Sequence, residues 1–170
     1  MNAIDSLAQA GTVTWLDDLS RDRIETGNLA DIIATKSVVG VTTNPAIFAA
    51  AMSHGTAYDA QIAELKAAGT SADHAVYAMS IADVQAACDL FADIYAASGG
   101  KDGRVSIEVD PRISEDTDAT LAQAKELWRT VNRPNVMIKI PATDAGLAAL
   151  PALVVKSSIR SDMNTSSIAG

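Results

Sequence analysis

At 170 residues, with 48% apolar and 20% charged residues, the chain has the length and composition to bury the core of one globular domain. Its formal net charge of −8 argues against a surface built for nucleic acid or an anionic membrane. The single cysteine, Cys88, excludes an internal disulfide and suits a reducing cytoplasm. The opening MNAIDSLAQAG has no basic leader followed by an apolar run, so no signal peptide is expected. No stretch reaches the apolar length that spans a bilayer.

In chain order, TVTWLD (12–17) reads as a first strand, bounded by Gly11 and the acids Asp17 and Asp18. Ser20 then suits a helix N-cap before RDRIETGNLADIIA, with a break expected at Gly27. VVGVTTN (38–44) is the second strand, and Pro45 suits the first turn of the helix after it. Tyr58, Ile62 and Leu65 recur at helical spacing. Ile81, Val84, Cys88, Phe91 and Tyr95 do the same in one long helix that Gly99-Gly100 ends.

RVSIEVD (104–110) is the third strand, and a helix from about Asp116 carries Leu121, Ala124, Trp128 and Val131 on one face. NVMIKIP (135–141) is the fourth strand, followed by a helix in TDAGLAALPAL. Strands alternating with helices predict a parallel sheet with right-handed crossovers. After Leu153 the period is lost, and the polar residues 154–170 are expected to form a disordered tail to a domain spanning 1–153.

Each strand is mostly apolar yet carries polar groups toward its C-terminal end: Asp17, then Thr42, Thr43 and Asn44, then Glu108, then Lys139. In parallel β/α sheets those ends face the ligand. Lys139 sits among Val136, Met137, Ile138 and Ile140, where burial is expected, and lysine is seldom buried without a partner or a purpose. A low-dielectric setting disfavours an ammonium and frees the amine to attack a carbonyl. Glu108 is suited to moving protons as a carbinolamine loses hydroxide, Asp17 to taking a hydroxyl proton as a carbon–carbon bond breaks, and Asn44 to orienting sugar hydroxyls. His54 and His74 lack metal-ligand spacing and read as surface residues.

Plainer readings stand beside these. Lys139 and Glu108 can form a structural ion pair. Asp17 and Asp18 suit a helix start, and TTNP is a good turn into a helix. Cys88 and the stripe from 81 to 95 suit core packing.

Taken together, WLDDLSR (15–21), GVTTNPAIF (40–48), SIEVDPRIS (106–114) and MIKIPAT (137–143) resemble bacterial transaldolase, in order and at suitable spacing over about residues 10–150. The resemblance implies a (β/α)8 barrel, of which only about the first four β/α units are expected here. It implies transfer of a dihydroxyacetone unit from sedoheptulose 7-phosphate to glyceraldehyde 3-phosphate in the pentose phosphate pathway, with no cofactor. By position it makes Lys139 the Schiff-base lysine, Glu108 the proton-transfer glutamate and Asp17 the acid/base aspartate, with Asp18 its competitor. Asn44 then holds substrate hydroxyls, with Thr42 at the edge of the site.

A (β/α)8 barrel typically needs about 250 residues. Four units leave open strand edges and an uncovered interior, so self-association, an inactive chain, or a shortened or frame-shifted product are all expectations. Two other functions remain open: a class I aldolase of the fructose 6-phosphate aldolase type, and a non-catalytic half-barrel that pairs with another chain.

Overall fold

The computed structural model of the chain describes residues 3–153. The expected tail, 154–170, lies outside the described residues. Four parallel strands form one sheet in the order β1-β2-β3-β4, the strands being β1 (Thr14–Leu16), β2 (Val38–Val41), β3 (Arg104–Glu108) and β4 (Val136–Lys139). β1 and β2 stop before their polar ends, Asp17 and Thr42 to Asn44, which belong to the loops, whereas Glu108 and Lys139 are the last paired residues of β3 and β4.

Helices fill every crossover. Between β1 and β2 lie α2 (Arg21–Glu25) and α3 (Asn28–Thr35), which follow α1 (Ala3–Gln9), a helix without a clear sequence period. Ser20 caps α2 by accepting from Arg23 N at 3.3 Å, and the expected break falls at Gly27, whose φ of 79° is left-handed. Between β2 and β3 lie α4 (Pro45–Met52), α5 (Asp59–Ala67), α6 (Ala72–Leu90) and α7 (Ala92–Ala97). The expected single helix through Tyr95 is thus two, divided at Phe91, where ψ reaches 0°. The hydrogen-bond ladder nonetheless runs through the division, Phe91 N to Ala87 O at 3.1 Å and Tyr95 N to Phe91 O at 3.0 Å.

A 3-10 turn (Pro111–Ile113) and α8 (Thr117–Val131) join β3 to β4, with Asp116 capping α8 at Ala119 N. Residues 144–153 form a further helix, α9.

The register divides the sheet's two faces. Val105 and Ile107 pair with Val136 and Ile138 and pack under α6 and α8, with Val84, Ala87, Cys88, Phe91, Leu127 and Val131 completing the core. Ser106 and Glu108 pair with Met137 and Lys139 on the opposite face. On that face Trp15 covers Gly40 so closely that a Cβ there would fall 2.6 Å from its ring. Below β4, the buried Asn135 ties two layers together, its Nδ2 donating to Cys88 O and Gly103 O at 2.8 Å each. The parallel sheet with its alternating helices is a partial β/α barrel: β1 and β4 are its outer strands, and Met137 on β4 is 41% exposed. No helix among the described residues is long and apolar enough to cross a membrane.

Candidate active site

Three of the sequence-predicted residues converge at the ends of β2, β3 and β4. Lys139 Nζ donates to the Thr43 carbonyl at 2.9 Å and to Thr42 Oγ1 at 3.4 Å, and stands 3.5 Å from Glu108 Oε2. Lys139 is not buried: its side chain is 40% exposed, because it lies on the outer strand β4, where Met137 on the same face is 41% exposed as well.

The loop under the amine is held from β3. Ser106 Oγ accepts from Thr43 N and donates to Thr42 Oγ1, each at 3.1 Å, and Thr43 Oγ1 returns a hydrogen bond to Ser106 O at 2.6 Å. Thr42 N also donates to Leu16 O at 2.8 Å, which fixes the end of β2 against the end of β1. Ser106 and the Thr43 carbonyl are participants that the sequence reading did not single out. The available signal was a serine two residues before Glu108, hence on the same face of the strand.

Asn44 has a structural duty: its side-chain oxygen accepts from Ile47 N at 3.0 Å and caps α4, with Pro45 in the first turn as expected. That leaves its amide N–H groups for another task. Asn44 and Glu108 both line a cavity of about 450 Å³ between α4 and α6, with Phe48, Tyr77, Ser80 and Arg112. Lys139, Thr42 and Asp17 are not in its wall, so Glu108 stands between the cavity and the amine.

Of the two neighbouring acids, Asp18 is engaged by Arg23, whose Nε lies 2.9 Å from Asp18 Oδ2. Asp17 is exposed just past β1 and has no hydrogen bond or ion pair among the described residues. It is not in contact with Lys139. His54 and His74 are exposed, and Cys88 is buried with its thiol pushed up to about 12 by burial. No group of three or more metal-ligating side chains occurs among the described residues.

A model of the transaldolase/fructose-6-phosphate aldolase family matches residues 14–161. The transaldolase of Mycolicibacterium smegmatis is 60% identical over 151 residues, which are 89% of this chain and 41% of that protein. Transaldolase 1 of Streptomyces coelicolor is 58% identical over 152 residues, 89% of this chain and 40% of that protein. The transaldolase of Kocuria rhizophila is 57% identical over 150 residues, covering 88% and 41%. The chain thus spans about two fifths of the length of these curated relatives.

Proposed function

Because the chain belongs to the transaldolase/fructose-6-phosphate aldolase family, we propose that its site performs the transaldolase reaction, with Lys139 as the imine-forming nucleophile. The carrying observation is the 3.5 Å approach of Lys139 Nζ to Glu108 Oε2 across paired strand ends, with Thr42 Oγ1 alongside. An ammonium must lose a proton before it attacks a carbonyl, and Glu108 is the base in place to take it. The neutral amine adds to C2 of a ketose phosphate. Glu108 returns a proton to the departing hydroxyl, which leaves as water, and the imine forms.

Asp17 then accepts the proton of the C4 hydroxyl. The C3–C4 bond breaks and its electron pair passes into the iminium. An aldose phosphate leaves and a three-carbon enamine stays on Lys139. Addition of that enamine to the aldehyde carbon of an acceptor reverses these steps. The amide N–H groups of Asn44 hold substrate hydroxyls, and Thr42 bounds the site. No cofactor is required, since the imine is the electron sink. The donor in this reading is sedoheptulose 7-phosphate and the acceptor glyceraldehyde 3-phosphate, in the cytoplasm, with no nucleic acid or membrane partner.

Two observations favour other readings. The family's own description includes fructose-6-phosphate aldolase, which would release free dihydroxyacetone. The exposed Met137, Leu147 and Leu150 favour self-association of the chain. The complete protein, given sedoheptulose 7-phosphate, is expected to make fructose 6-phosphate only when glyceraldehyde 3-phosphate is present. Stoichiometric free dihydroxyacetone without acceptor would move the assignment to the aldolase.

A further inference from the structure

Asp83 lies in the middle of α6 and is 2% exposed, although none of the steps above uses it. Carboxylates are almost never fully buried unless paired, and this one is paired through both oxygens. Arg21 Nε donates to Oδ1 at 2.8 Å and Tyr58 OH donates to Oδ2 at 2.7 Å. The Tyr58 hydroxyl also accepts the backbone N–H of Arg21 at 3.0 Å, and the Arg21 guanidinium lies over the Tyr58 ring at 4.5 Å. Burial raises the Asp83 carboxyl, while the hydrogen bonds from Tyr58 and Arg21 oppose that rise.

Breaking such a buried cluster is costly, yet apolar packing would stabilise a fold at least as well, so stability alone is a weak reason for it. Its geometry indicates another. Arg21 is the first residue of α2, and the hydrogen bond from its main chain to Tyr58 fixes where that helix begins. The short loop from β1 is then tied at each remaining position: Leu19 is fully buried, Ser20 caps α2, and Asp18 is held by Arg23. Asp17 is the loop residue whose side chain has no partner among the described residues.

We propose that Arg21, Tyr58 and Asp83 are positioning residues for Asp17, holding the β1–α2 loop so that this carboxylate meets the substrate hydroxyl. The inference rests on the role given to Asp17 above. The three residues act on the cleavage step and leave imine formation at Lys139 alone. Lys139 is held by Thr42, Thr43 and Glu108, and none of the hydrogen bonds or ion pairs of the triad reaches those three residues.

Borohydride trapping separates the two steps. The complete protein is mixed with fructose 6-phosphate and reductant, and the Lys139 peptide is weighed by mass spectrometry. An adduct trapped before cleavage keeps six carbons and the phosphate, whereas one trapped after cleavage keeps three carbons. In Tyr58→Phe, which preserves the ring and removes both hydroxyl contacts, total labelling of Lys139 is expected to stay unchanged. The six-carbon to three-carbon ratio is expected to rise about tenfold, since loss of alignment in a reacting group costs that much or more. Asp83→Asn gives the same reading if Tyr58→Phe does not fold. Asp89 lies on α6 like Asp83 but forms an exposed pair with Arg133, and Asp89→Asn is expected to leave the ratio unchanged.

An unchanged ratio in labelled Tyr58→Phe and Asp83→Asn overturns the triad's role, as does a fall in total labelling in step with turnover at constant ratio. An unlabelled wild-type protein overturns the imine reading itself. A labelled wild type whose Asp17→Asn variant keeps the ratio removes the role of Asp17, and the triad's with it.

Discussion

Glu108 and Lys139 stand opposite one another in the β3–β4 register, and Lys139 Nζ lies 3.5 Å from Glu108 Oε2. With side chains 21% and 40% exposed, such a pair contributes about 1 kcal/mol or less to stability. A stabilising partner and a proton-transfer partner therefore respond differently to one substitution. Glu108→Gln is expected to melt within a few degrees of wild type. In the complete protein it is expected to slow imine formation by about 10²–10⁴-fold, the usual worth of a positioned acid/base group. A thermal melt reads the first and single-turnover trapping the second; a large loss of Tm with normal trapping would restore the structural ion pair.

Asn44 serves a helix and, in the proposed mechanism, a substrate. Its oxygen caps α4, so Asn44→Ala is expected to lose about 1 kcal/mol of stability whatever else it does. Asn44→Asp keeps a good capping oxygen and removes the two N–H donors. That variant is expected to melt like wild type while KM for the ketose phosphate rises. An Asp variant with unaltered kinetics would leave the cap as the residue's whole role.

Acid should weaken the fold through its surface carboxylates. The Arg133 guanidinium beside Asp89 holds that carboxyl below its usual range, and Arg112 does the same to Asp110. A carboxyl lowered in the folded state contributes stability above its unfolded pKa and loses it as pH falls through the folded value. The loss is thus expected below about pH 4. Asp83 has the opposite sign, because burial raises it and its contribution is present in acid and lost as pH rises. Asp89→Asn should flatten the acid limb of a Tm–pH curve, and Asp83→Asn should steepen it.

Met137 and Leu150, with Val136, Ile138 and Leu153, line an open groove of about 670 Å³ beside β4. An exposed apolar strand edge of this kind is a template for pairing. The 170-residue chain by itself is expected to associate with rising concentration in sedimentation velocity, and Met137→Lys to shift it toward monomer. A wild-type chain that stays monomeric at high concentration would contradict this.

Much of the site could be read from strand ends. Lys139, Glu108 and Thr42 meet because each ends or follows a parallel strand, and strand order plus side-chain alternation suffices to bring them together. The exposure of Lys139 could not be read that way: its apolar neighbours Ile138 and Ile140 describe the strand, whereas exposure depends on β4 being an outer strand of the sheet. The triad was hidden for another reason. Tyr58 looks like one member of a helical stripe with Ile62 and Leu65, but α5 buries no residue within its span, and Tyr58 itself is buried at the start of it. Its partners are remote in sequence, and the only local sign was Asp83 at helical spacing from the buried Met79 and Ala87. The division at Phe91 had no sequence signal, since apolar spacing continues across it.

The most direct test of Lys139 as nucleophile is the covalent bond itself. The complete protein is incubated with fructose 6-phosphate and borohydride, digested, and mapped by mass spectrometry, with Lys139→Arg treated alongside. A reduced three-carbon adduct on Lys139, absent from the arginine variant, is the result expected of an imine mechanism. Turnover retained by Lys139→Arg, or an adduct seated on another lysine, would contradict it.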